Sequence, residues 1–119
     1  MKTMKTSELN GVALDWLVAQ CEGLLGFGYR NDMGLLRITL STGEDEYFKP
    51  TLDWSQCGAI IEQEGISLDY DGLGTWVATI ITNGSVFEGS GGTPLEAAMR
   101  CYVESELGDY VAVPADLFQ

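Results

Sequence analysis

The stretch TWVATIITNGSVFEGSGGTPLEAAMRCYVESELG, residues 75–108, leaves the chain few choices of fold. Its first part is rich in β-branched and apolar residues, with Trp76, Val77, Ile80 and Ile81 in a strand pattern. Asn83-Gly84 follows, and because both residues tolerate positive φ the pair predicts a two-residue hairpin turn. SVFEG, 85–89, returns as the partner strand, and residues 88–92 read as a glycine-rich connection. A helix is then signalled at both ends. Thr93 stands at the N-cap, Pro94 at the first helical position and Glu96 three residues after the cap, the spacing of a capping box. Gly108 is the stop. Leu95, Ala98, Met99 and Tyr102 form one apolar row, widened by Val103, which calls for a sheet to cover.

The remaining segments supply the other layers. In NGVALDWLVAQCEG, residues Leu14, Leu17, Val18 and Cys21 fall on one helix face. Asn10 is placed to cap that helix and Gly23 to end it, with Trp16 on the flank, closing over the core. The glycines of 23–34 predict a loop, and LLRITL, 35–40, a strand. Residues 41–51 read as an acidic turn with a short strand at Tyr47-Phe48, halted by Pro50. In DWSQCGAIIEQEG, Asp53 is expected to cap a helical turn through Gln56. Gly58 is expected to interrupt it, and a second short helix over 59–64 to end at Gly65. An edge strand at 59–62 is the alternative. Ile66, Leu68 and Tyr70 alternate as a strand before the DGLG turn, and YVAVP makes a last strand ended by Pro114. The expected fold is α+β, one domain over 1–119. It has an N-terminal helix of about 11–22, a C-terminal helix of about 94–107, and a mainly antiparallel sheet built on hairpins within 66–89, covered by helices on one face.

Charge narrows the function. The chain has 119 residues, 18 acids against 6 bases and a formal net charge of -12. Residues 1–60 hold 8 acids and 5 bases, whereas 61–119 hold 10 acids and only Arg100. Such a surface repels phosphate backbones and anionic membranes and attracts basic surfaces, so neither direct nucleic-acid binding nor membrane binding is expected. No apolar run reaches membrane-spanning length, and the basic start MKTMKTSELNG has no apolar stretch behind it, so no secretory leader is expected. Cys21, Cys57 and Cys101 are an odd number, widely spaced. They fit core positions in a reducing compartment.

Catalytic signatures are sparse. The chain has no His, which removes Ser–His and Cys–His dyads and His-ligated metals. Asp69-Tyr70-Asp71-Gly72 starts like a calcium loop but lacks the later ligands. Glu62 and Glu64 with Asp53 offer paired carboxylates for acid–base work or a magnesium site; a solvated helix face is the plainer reading. The glycine-rich 88–92 segment before a helix N-terminus has no phosphate-loop Lys. No catalytic residue, metal or cofactor is expected. The candidate contact groups are those of a binding module: Asp53, Trp54 and Gln56 at the joint, with Tyr47 nearby, and the acidic residues Glu62, Glu64, Glu104, Glu106 and Asp109.

Three segments carry a resemblance: KTSELNGVALDWLVAQCEG, DWSQCGAIIEQEGISL and TPLEAAMRCYVESELGDYVAVPADL, which together cover about half the chain. In this order they resemble the phage NinX-like proteins of temperate bacteriophages. Cys57-Gly58-Ala59 departs from the Gly-Gly-Pro type of turn expected there, and Gln63 stands where a base is expected, which makes the joint more acidic. The resemblance implies a phage or prophage accessory protein in the bacterial cytoplasm, and no mechanism. Joined to the acidic charge, it points to binding of a host protein or nucleoprotein with a basic surface, host-defence complexes of the CRISPR type among them. A small-ligand binder using residues 88–92 and the Trp54 region is the alternative.

Overall fold

The computed structural model describes residues 1–118. In chain order it has β1 (Lys2–Lys5), a 3-10 turn (Thr6–Glu8), α1 (Gly11–Cys21), β2 (Tyr29–Asp32), β3 (Leu35–Thr39) and β4 (Asp45–Tyr47). There follow α2 (Trp54–Glu64), β5 (Ser67–Tyr70), β6 (Trp76–Thr82), β7 (Ser85–Gly91), α3 (Pro94–Leu107), β8 (Tyr110–Val113) and a second 3-10 turn (Ala115–Phe118). The α+β class expected from the sequence is what forms. The strands make three antiparallel sheets rather than one: β1-β8, β2-β3-β4 and β5-β6-β7.

The hairpin–helix unit forms as its signals require. Asn83 and Gly84 both take positive φ, and β6 pairs with β7 from Thr82↔Ser85 to Trp76↔Gly91. Thr93 Oγ1 accepts the Glu96 N–H at 3.1 Å. The Glu96 carboxylate completes no capping box; it pairs instead with Arg100 one turn on, at 3.1 Å. Thr6 ties the far end of α3 down, its hydroxyl donating to Gly108 O and its N–H to Asp109 O. On α3, Leu95, Ala97, Ala98, Met99, Cys101, Tyr102 and Val103 are all buried. The helix packs on β6, β7, α1 and α2.

Residues 88–91 correct the expected loop. Gly89 and Gly91 lie within β7, on the side facing α3. A side-chain carbon at Gly89 would collide with the backbone N of Cys101 and stand 2.7 Å from Ala97 O. Glycine is there to let a helix backbone approach a strand backbone. The space directly between Gly89 and the α3 backbone is closed, and a hollow of about 160 Å³ lies beside it with Arg100 and Glu104 on its wall.

Three further differences have local causes. β2 occupies part of the expected glycine loop, because Met33 and Gly34 both take positive φ and close a tight turn into β3. Asn31 Oδ1 secures that turn by accepting the Gly34 N–H at 2.9 Å. β1 arises from the basic N-terminal residues, which find their partner only in β8, with Lys2 opposite Val113 and Lys5 opposite Tyr110. And α2 is one continuous helix: Gly58 neither breaks it nor leaves an edge strand at 59–62. An internal glycine costs about 1 kcal/mol. Burial of Cys57 and Ile60, the Asp53 cap and the left-handed Gly65 stop (φ 66, ψ 41) outweigh it. Asn10 precedes α1 without a side-chain cap bond.

Asp15 is the unusual core residue, only 2% exposed. Its Oδ1 accepts the Thr51 N–H and its Oδ2 pairs with the Thr51 hydroxyl, both at 3.0 Å, pinning α1 to the corner between β4 and α2. Burial pushes its carboxyl up to about 7, against the two Thr51 bonds, which lower it. It also helps burial hold the neighbouring Cys57 thiol up, to about 12. A carboxyl raised on folding stabilises the protein fully below its unfolded value of 3.8 and loses that contribution as pH rises through 7. Urea unfolding of wild type should therefore lose stability on the order of 3 kcal/mol from about pH 4 to about pH 8 through this group. Asp15→Asn keeps both Thr51 bonds and should remove that slope; an unchanged slope in the variant would assign it elsewhere. Gly89→Ala should cost about 2 kcal/mol or more by overpacking. A melting temperature equal to wild type would contradict the close contact.

Candidate interaction surface

The residues singled out from the sequence divide among three places. At the start of α2, Asp53 and Gln56 are occupied by the fold. Asp53 Oδ1 accepts from the Ser55 N–H at 2.8 Å, the Ser55 hydroxyl at 2.7 Å and the Gln56 N–H at 3.4 Å. The Ser55 hydroxyl, then its N–H, hold the Asp53 carboxyl below its usual range. Gln56 accepts the Lys49 N–H and donates to Tyr47 O, fastening the end of β4. Trp54 is the free member, 58% exposed.

Around Trp54 lies a corner that the sequence showed only in part. Leu52 and Tyr47 are exposed with it. The Arg37 guanidinium stands 5.1 Å from the Tyr47 ring centre and the Lys49 ammonium 5.9 Å. Tyr47 donates its hydroxyl to Asp32 at 2.8 Å, and Arg37 reaches the same carboxylate at 3.3 Å. Tyr, Trp and Arg are the side chains that anchor interfaces, because each combines a large flat apolar area with few rotatable bonds or a rigid donor set. Arg30 and Arg37 sit directly opposite on β2 and β3. Such a like-charge pair is unfavourable alone, and Asp32 and Asp45 offset it. The signal available in the sequence was that Arg30, Arg37 and Lys49 are half of all the bases.

The acidic residues form two separate groups. Glu64 ends α2, and Glu106 lies in the last turn of α3. Both act on Cys21, the last residue of α1, and Glu22 joins them there. Burial, then the charges of Glu106, Glu22 and Glu64, push the Cys21 thiol up to about 12. Tyr102 donates its hydroxyl to the Glu22 carboxylate, and burial together with that bond pushes its ionisation up as well. The C-terminal ends of α1, α2 and α3 thus each bring a carboxylate within electrostatic reach of Cys21. None of the three carries a base in its last turn. A helix C-terminus holds about half a negative charge, so this pole is more negative than its side chains alone. Glu22 was missed because, read singly, it is only the residue after a helix.

Glu104 is two residues from Glu106, so α3 turns it through roughly 200° to another face. There it lines a hollow of about 320 Å³ with Lys5, Ser7, Asp109 and Tyr110. Burial, then the neighbouring Asp109, push its carboxyl up. Glu62 is exposed on α2. Asp53 and Glu64 stand at opposite ends of the 11-residue α2, about 15 Å apart along its axis, so they do not face one another as a catalytic carboxylate pair would. Asp71 accepts the N–H groups of Leu73 and Thr75 and so shapes the turn before β6. Among the described residues, no group of three or more His, Cys, Asp or Glu is arranged to hold a metal ion. Nor is any helix among them long and apolar enough to cross a membrane.

No curated protein matches the chain. A family model described as Bacteriophage P22, NinX matches residues 5–106, which takes in α1, both three-stranded sheets, α2 and nearly all of α3. The chain therefore belongs to the NinX family of bacteriophage proteins.

Proposed function

We propose that this phage protein is a non-enzymatic accessory factor that binds a host protein or nucleoprotein through a basic surface on the partner. The observation that carries the reading is that Glu22, Glu64 and Glu106, near three helix C-termini without a base in the last turn, all act on Cys21. Placing like charges together weakens a fold. A cationic partner would offset that charge and would be steered in by the field. The single base of the C-terminal half cannot do so from within. Arg100 is already committed to Leu9 O at 2.7 Å, Ser90 O at 2.8 Å and Glu96. Trp54, Leu52 and Tyr47 supply an apolar anchor at the opposite end of α2 from Glu64.

Complexes that handle nucleic acid present such basic surfaces. Host-defence nucleoproteins, CRISPR-type ones included, are the partner class a phage protein acting in the host cytoplasm would gain most from blocking. In that role the acidic pole competes with nucleic acid for the same cations.

The test is capture from host lysate on the tagged protein at about 0.1 M and about 0.5 M salt, with identification by mass spectrometry. The expected result is a basic nucleic-acid-handling protein, retained at low salt and lost at high salt. The triple substitution Glu22→Gln, Glu64→Gln, Glu106→Gln should lower its capture about tenfold or more while the fold, followed by circular dichroism, is kept. Capture that ignores both salt and the substitutions would overturn the reading.

A further inference from the structure

An open hollow of about 800 Å³ lies between the β2–β3 turn and the C-terminal 3-10 turn, within the size range of small-molecule sites. Its lining is unlike the rest of this acidic surface. Arg30 borders it and has its ion pair with Asp45 through one terminal nitrogen, at 3.4 Å. Asn31 uses its Oδ1 to accept the Gly34 N–H, which leaves its amide N–H groups to donate. Tyr29 adds a hydroxyl and a ring, Leu25 an apolar wall, and Asp116 the facing carboxylate.

Behind Tyr29 is a buried donor. Trp16 is 6% exposed and meets the Tyr29 ring edge-on, centres 5.8 Å apart. Its buried indole N–H makes no well-formed hydrogen bond, the Tyr29 hydroxyl oxygen being the acceptor beside it. It stands on the side of the Tyr29 hydroxyl, whose ionisation burial and then the Asp116 charge push up, against the indole N–H, which lowers it. An indole N–H can only donate, and a buried one held by a weak bond gains from a stronger acceptor. An acceptor arriving at Tyr29 would serve both groups.

We propose that this hollow binds a free α-amino acid. The carboxylate lies against Arg30, the Asn31 amide and the Tyr29 hydroxyl, the ammonium against Asp116, and the side chain against Leu25 and the Tyr29 ring. A simple anion would meet Asp116 and the repulsion of a chain of net charge -12. A simple cation would meet Arg30. A zwitterion presents both charges in the order the wall requires and, being neutral overall, is not repelled at a distance.

Thermal-shift measurements with each of the twenty free amino acids at about 10 mM, followed by titration calorimetry on those that act, test this. At least one should raise the Tm of wild type, while its N-acetyl derivative and its amide should not. Arg30→Ala and Asp116→Asn should each weaken its binding about tenfold or more. The proposal is overturned if no amino acid shifts wild type, if both variants bind as tightly, or if the N-acetyl form binds equally. Neither residue belongs to the Glu22–Glu64–Glu106 pole, so failure here leaves the capture of a host partner to be judged separately.

Discussion

Everything in this fold is arranged around the contact of α3 with β7. At Gly89 the helix and strand backbones approach so closely that no side chain fits between them. The approach is sustained by small residues on the helix, Ala97 and Cys101, and it fixes both the rotation and the depth of α3. With that set, Tyr102 points to α1 and reaches Glu22, Arg100 points to the chain before α1 and to β7, and Met99 and Val103 fill the centre. A close-packed interior transmits such a constraint, because neighbouring side chains have no slack to absorb a shift.

The same helix organises the charge. Its one base is held by backbone carbonyls and by Glu96, so the other acids of the second half keep no local counterion from it. Its two acidic positions near the C-terminus diverge: Glu106 joins the pole with Glu22 and Glu64, and Glu104 the hollow with Asp109. Bases and exposed aromatics gather instead on β2–β3–β4 and the following corner. The surface is therefore divided, with one region suited to charge steering and another to anchoring.

What could be read from the sequence follows the range of the interactions. The β6–β7 hairpin and α3 rest on Asn83-Gly84, Thr93, Pro94 and Gly108, residues whose effects are local, and these elements stand where the pattern puts them. β1 has no local cause: Lys2–Lys5 is a strand only because β8 lies beside it. The break expected at Gly58 fails for the related reason that tertiary burial of Cys57 and Ile60 overrides a local penalty. Met33 escaped notice because a left-handed methionine is an uncommon partner for glycine in a tight turn. At the candidate surface, Trp54 and the acids were legible as types. That Asp53 and Gln56 are taken up by capping and by β4, and that Glu22 completes the pole, depends on which helix ends meet.

The pairing of β1 with β8 also bears on how the protein comes off the ribosome. β1 emerges long before its partner strand, which is translated after all three helices. In the interval its backbone groups have only water to bond with, and Thr6 has neither Gly108 nor Asp109 to hold. The helices and the two three-stranded sheets can assemble from contacts closer in sequence, while the β1–β8 ribbon is the longest-range closure in the chain and falls to the end. Its completion locks the C-terminal end of α3 in place, a step that waits until β8 has cleared the exit tunnel.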